Sequence, residues 1–174
     1  MHLNKIFCFL SFQGQPKNYA KIDNVVSRSA QPQIDDFYWL KDNGVTDIVN
    51  FRTMHAPKLN FNEKELVESL GMKYHHCPIY TEAPAPEMID KFLKITNKAK
   101  KKGNMVHIHC FAGADRTGLC AFIYKMLNGI GTQDLNEKEW LILGHNAQRF
   151  PHLMDWGRNF VKNKQRSFWI PKFY

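Results

Sequence analysis

The stretch His109-Cys110-Phe111-Ala112-Gly113-Ala114-Asp115-Arg116-Thr117-Gly118 lies between two apolar runs. The first, Asn104 to His109, has the length and content of a short buried strand. The second, Thr117 to Leu127, is apolar all round, which predicts a buried helix. Strand, tight turn and buried helix together are the repeating unit of a parallel sheet. In such sheets ligands bind where strands end and helices begin. The turn after His109 is therefore where chemistry is expected.

The rest of the chain repeats the alternation. Upstream, Val25-Val26 reads as a short strand, Ile34 to Asn43 as a helix presenting Phe37 and Leu40 with Gly44 as its stop, and Val45 to Phe51 as a buried strand. Asn62, with Glu65 three residues later, caps a helix whose apolar face is Leu66, Val67 and Leu70, and Gly71 ends it. Met72 to Ile79 reads as the next strand. Pro86 opens a longer helix, with Met88, Ile89, Phe92, Leu93 and Ile95 at helical spacing. Two helices, near Leu135 to Leu143 and Phe150 to Lys162, follow the central one. The expected fold is an α/β three-layer sandwich: a central, mainly parallel sheet flanked by helices. Residues 22–163 form its domain, 1–21 an arm or first strand, and 164–174 a basic aromatic tail that packs on the domain or touches an interface.

The chain has 174 residues, 44% apolar and 23% charged, which fits one ordinary domain. No apolar run is long enough to span a membrane. The apolar stretch Ile6 to Phe12 is short for a secretory leader and lacks a small-x-small site behind it. The four cysteines (Cys8, Cys77, Cys110 and Cys120) form no C-x-x-C pair. That excludes a disulfide framework and a zinc finger, and points to a reducing cytoplasm. No metal or cofactor is expected. His75 and His76 are adjacent, so a strand would aim them at opposite faces. The net charge of +8 favours anionic partners. Lys98, Lys100, Lys101 and Lys102 close a helix, where cations are favoured; the run reads as a solvated face, with a weak membrane or phosphate contact as the alternative.

Each part of the central turn suits a phosphate. A loop curling into a helix N-terminus aims N–H groups inward and makes an anion cradle of residues Phe111, Ala112, Gly113, Ala114, Asp115 and Arg116. The same field favours the thiolate of Cys110, which can attack phosphorus and form a covalent intermediate. Arg116 offers two parallel donors to phosphate oxygens and can follow them into the transition state. Gly113 permits tight curvature. Thr117 can hydrogen-bond the sulfur, and His109 can hold the loop and polarise the thiol from behind.

This pattern, His-Cys-x5-Arg-Thr-Gly, resembles the signature of the protein tyrosine phosphatase superfamily, and the short chain looks like its dual-specificity branch. Ser27-Arg28-Ser29-Ala30-Gln31-Pro32 is similar to that branch's entry segment, and Gly44 to Arg52 looks like its G-I-x-x-V-I-N-L-R strand. The resemblance implies a metal-free hydrolase that forms a phosphocysteine. It also implies an Asp general acid from a movable upstream loop. Here that loop, Pro78 to Pro86, carries Thr81 and Glu82 instead. Asp115 is the first substitute, because myotubularin lipid phosphatases and some bacterial phosphatases carry Asp at this loop position; Glu82 is the second. Gln148 is a candidate for orienting water. Cys77 reads as core, with a protective disulfide to Cys110 as the alternative. The expected substrate is a phosphorylated protein. A phosphorylated inositol or lipid is the alternative, and an inactive phosphate-binding module the third reading; nucleic acid is not expected.

Overall fold

A computed structural model describes residues 14–53 and 58–169, with side chains as far as residue 167. The expectations for residues 1–13 and for the tail beyond 169 lie outside them. The elements run β1 (Ala20–Lys21), β2 (Val26–Ser29), α1 (Ile34–Asp42), β3 (Val45–Asn50), α2 (Glu63–Ser69), β4 (Lys73–His76), α3 (Pro86–Lys102), β5 (Met105–His109), α4 (Asp115–Leu127), α5 (Gln133–Ile142) and α6 (His152–Trp169). One five-stranded sheet has the order β1-β2-β5-β3-β4. Only the β1–β2 pairing is antiparallel; the other three are parallel. The α/β sandwich read from the sequence is the observed architecture.

Side chains alternate across a strand, so a buried strand feeds two cores. On β3, Ile48 joins Phe37 and Leu40 of α1 and Val67 of α2 on one face. Val49 and Phe51 join Ile89 and Phe92 of α3, Leu119 and Phe122 of α4, Trp140 of α5 and Leu153 of α6 on the other. On β5, Val106 and Ile108 enter this second core. His107 and His109 go to the opposite side: His107 bonds the two β2 serines, and His109 packs edge-on against Phe37. Cys110, the next residue, falls on the α3–α6 side.

The helix signals work as expected. Asn62 caps α2 by accepting from the Glu65 N–H, Pro86 occupies the first turn of α3, and Gly103 ends α3 at φ +67°. Several boundaries differ, two of them by more than a turn or a strand end. The strand expected over Met72 to Ile79 pairs only at Lys73–His76. The chain stays beside β3, through Cys77 N–H to Asn50 O and Ile79 N–H to Phe51 O, but these acceptors are adjacent residues where a parallel ladder uses alternate ones, so the register is lost. The last helix runs on to Trp169, past residue 163. No helix among the described residues is long and apolar enough to cross a membrane.

Candidate active site

The turn between β5 and α4 is held from outside by its carbonyls. Cys110 O faces His109 Nδ1 at 3.2 Å, Phe111 O accepts from Gln31 N–H at 2.9 Å and Ala112 O from Asn18 Nδ2 at 3.2 Å. Gly113 O accepts from the Arg28 guanidinium, and Ala114 O from Trp140 Nε1 at 3.1 Å. Five consecutive carbonyls thus point outward. Among the described residues, the N–H groups of Phe111 to Arg116 have no protein acceptor. Carbonyls out and N–H groups in is the geometry of an anion nest. It opens onto α4, whose first turn begins at Asp115 rather than Thr117. The positive end of the helix dipole adds to the nest.

Close packing fixes this curvature. Gly113 sits at φ +72°, and a Cβ there would come within 2.5 Å of the Ser29 and Ala30 backbone. Only glycine fits against β2 so closely. Arg28, 1% exposed, lies behind the turn, and its Nε has no partner. Burial holds its pKa below the usual arginine value, against the pull of Glu139 and of Cys110. Cys110 and Arg28 are therefore within electrostatic reach of each other, and Arg52 is too.

A cavity of about 480 Å³ lies over the turn. Cys110, Asp115 and Arg116 line it beside Phe111 and Ala112, and Glu82 lines it from the loop before α3. The structure therefore brings together the expected nucleophile, the expected phosphate clamp and both candidate acids. The Arg116 side chain makes no hydrogen bond or ion pair among the described residues. Burial pushes the Asp115 carboxyl up, but bonds from His145 Nδ1 (2.8 Å) and the Asn146 N–H (2.9 Å), with the charges of His145 and Arg116, outweigh it. The net direction is down. Glu82 is exposed and also held below its ordinary value, first by its own N–H, then against slight burial by Thr81 Oγ1 and by Arg149 and Arg116. Its loop is tied to α6 through His152 Nε2 and Thr81 O at 2.7 Å.

Two expected contacts are not made. The Thr117 hydroxyl is fully buried without a partner, so it does not bond the sulfur. The acceptor one turn back that a helical threonine can reach, Gly113 O, already takes Arg28. His109 does not touch the thiol either, because its ring lies on the other face of the sheet. It meets Glu63 Oε1 at 2.8 Å and reaches the turn only through the Cys110 carbonyl. Cys77 packs in the core, as expected; Cys77, Cys110 and Cys120 are all free and buried.

The sequence reading missed several residues. Arg149, Phe150 and Tyr80 line the cavity, whereas exposed Gln148 does not. Glu63 gathers His109, Gln31 Nε2 (3.0 Å) and Asn50 Nδ2 (3.1 Å), and Gln31 Oε1 accepts from Arg52 at 2.6 Å. Burial raises the Glu63 carboxyl, but the charge and hydrogen bond of His109, then Gln31 and Arg52, bring it below its ordinary value. Gln31, Asn50 and Arg52 all fall in the two upstream segments quoted above. The signal for Glu63 was only its place in the first turn of a capped helix.

The model of the Tc-R-P family, "Polymorphic toxin system, DSP-PTPase phosphatase", matches residues 24–129. Among solved structures, the chain is similar to a putative phosphatase (DUF442) from Shewanella putrefaciens CN-32, with 20% identity, a TM-score of 0.73, and 86% of this chain and 92% of that one covered. It is similar to the core catalytic domain of the PP-IP phosphatase SIW14 from S. cerevisiae, with 17% identity, a TM-score of 0.67 and coverage of 92% and 98%. It is also similar to P. aeruginosa TpbA, solved in complex with pTyr, with 17% identity, a TM-score of 0.64 and coverage of 84% and 91%.

Proposed function

We propose that this chain, which belongs to the Tc-R-P family of polymorphic-toxin DSP-PTPase phosphatases, hydrolyses phosphomonoesters in two displacements at Cys110. The outward-turned carbonyls of Cys110 to Ala114 carry this reading, because they leave a row of N–H groups for the equatorial oxygens of a phosphoryl group. Arg116, lining the same cavity, supplies the charged fork. In the first step the Cys110 sulfur attacks phosphorus. An S–P bond forms, the P–O bond to the leaving group breaks, and that oxygen takes a proton. In the second step water attacks phosphorus, gives up a proton, and the thiolate leaves.

Asp115 is the proton carrier. It lies in the cavity wall beside Arg116, and His145 and Asn146 set its orientation. With its carboxyl held below the ordinary range it is ionised at rest, the form required to take a proton from water. A phosphate dianion in the nest places like charge beside it and draws a proton onto it for the first step. Glu82, exposed on its loop, is the second carrier.

Phosphorylated protein is the substrate we favour. Phe111, 51% exposed, and Tyr80, 42% exposed, give the cavity an aromatic rim suited to a phosphorylated side chain. TpbA, of the same fold, was solved with pTyr. Arg149 on the rim supports a second reading, an inositol or lipid phosphate, because it offers a cation to a second phosphate.

Hydrolysis of an aryl and an alkyl phosphate with chelator present tests the mechanism. Cys110→Ser should abolish both activities. Asp115→Asn should lower turnover of the alkyl ester roughly 10²–10⁴-fold and of the aryl ester far less, since an aryl leaving group needs little protonation. The same selectivity in Glu82→Gln instead would move the acid to that loop, and turnover that survives Cys110→Ser would sink the mechanism.

A further inference from the structure

A second cavity, of about 230 Å³, lies between α3 and the edge strand β4. It shares no lining residue with the cavity over Cys110. Lys91, Lys94, Lys98 and Lys102 line it from α3, and Lys73 from β4. Their spacing on α3 puts them on one helix face. Asp47 is the one carboxylate in the lining, so the cavity carries a net +4 with His75 counted neutral, half the chain's +8.

Ordinary structural roles do not account for this stripe. The helix dipole favours Lys102 in the last turn of α3, but its effect does not reach Lys91, Lys94 or Lys98 in the helix interior. Neighbouring lysines at these spacings repel one another and destabilise the helix. Among the described residues none of the five lysines forms an ion pair. Lys91 instead donates to the carbonyl of His76 at 2.9 Å, which fixes its ammonium at the rim. Asp47 offsets only one of the five charges: it lies within electrostatic reach of Lys73, accepts from His75 Nε2 and Thr46 Oγ1, both at 2.8 Å, and is 6% exposed. The wall is cationic, the floor internally satisfied, and the space large enough for a small polar ligand.

We propose that this groove is a second, non-catalytic binding site for a ligand bearing clustered phosphates, such as an inositol polyphosphate or the headgroup of a phosphoinositide. Several phosphates on one ring match lysines on two facing walls, whereas a single phosphate would engage only one or two. The site places an anion-binding function on the face formed by α3 and β4, and it holds whether or not the mechanism at Cys110 is as described.

Calorimetric titration with inositol hexakisphosphate tests it, comparing the intact chain, Lys94→Glu/Lys98→Glu and Arg116→Met. The lysine pair is exposed, so that variant should melt no lower than the intact chain, and its aryl-phosphate turnover should match. Its affinity for inositol hexakisphosphate should fall roughly tenfold or more, with a shallower salt dependence, while Arg116→Met leaves one binding event in place. Vesicles containing phosphatidylinositol bisphosphate in phosphatidylcholine form the second arm. Lysine-dependent capture by vesicles identifies a membrane headgroup, and lysine-dependent binding of the soluble probe alone identifies a free ligand; either supports the site. Unchanged affinity in the lysine variant, loss confined to Arg116→Met, no binding of either probe, or stronger binding of a polyglutamate peptide would overturn it.

Discussion

Gly113 shows how narrowly the phosphate nest is specified. Any side chain there meets two obstacles at once: a left-handed backbone at φ +72° and the Ser29–Ala30 main chain 2.5 Å away. Backbone cannot move aside as a flexible side chain can. Gly113→Ala is therefore expected to cost about 1–3 kcal/mol of stability and to weaken vanadate binding more than its loss of stability explains, measured by urea unfolding and by inhibitor titration. A normal nest in that variant would mean that β2 yields. The loop's own role was legible in the sequence because its residues are contiguous. Its supports were not. Asn18 lies 94 positions from Ala112, Arg28 85 from Gly113, and His145 30 from Asp115. Each is a lone polar residue whose local context offers a simpler role in a turn, strand or helix end.

At the scale of elements, Glu63 joins parts that no local pattern connects. From the first turn of α2 it meets β5 through His109, β3 through Asn50 and the segment after β2 through Gln31. It is 5% exposed, so breaking the cluster leaves buried polar groups without partners. Glu63→Ala is expected to cost about 3–5 kcal/mol. The exposed Lys64–Glu68 pair on the same helix, 4.0 Å apart, serves as the control: Glu68→Ala should change stability by less than ~1 kcal/mol. Equal losses at the two sites would show that α2 itself, not the cluster, carries the effect. The order and type of the elements were readable because apolar spacing and the glycine stops agree with the fold. The end of β4 was not, because residues 77–79 keep the apolar content of a strand and still bond to the end of β3, only out of register. Nor could helical spacing foretell that the lysines of α3 would face Lys73 across a cavity.

For the whole molecule, acid should act in two stages. Burial, and then the charge on His109, keep fully buried His107 neutral, well below the usual histidine value. Ser29 gives its proton to Ala30 O, so it accepts from His107 Nε2, and Ser27 donates to Nδ1. The unfolded chain takes up that proton near pH 6.5, so stability should start to fall below about pH 6.5. Glu63, Asp115 and Asp47 are held below their ordinary values against burial, by His109, His145 and His75 respectively. Their contribution is complete above about pH 4.5 and is lost as pH drops through their folded values. Unfolding midpoints measured across pH should show both declines, and a flat profile from about pH 7 to 5 would exclude a neutral His107.

The way the nest is held also bears on when activity arises during folding. Its carbonyls are gripped from the segment before β1, from β2, from the segment between β2 and α1, and from α5. Trp140, His145 and Asn146 lie beyond residue 129, where the family match ends. These contacts are non-local, and the entropy of closing such long loops must be met before any of them forms. Nucleophile and anion site therefore mature late and together: a nascent or partly unfolded chain presents a cysteine without a phosphatase, and turnover reports completion of the fold from residue 18 to α5.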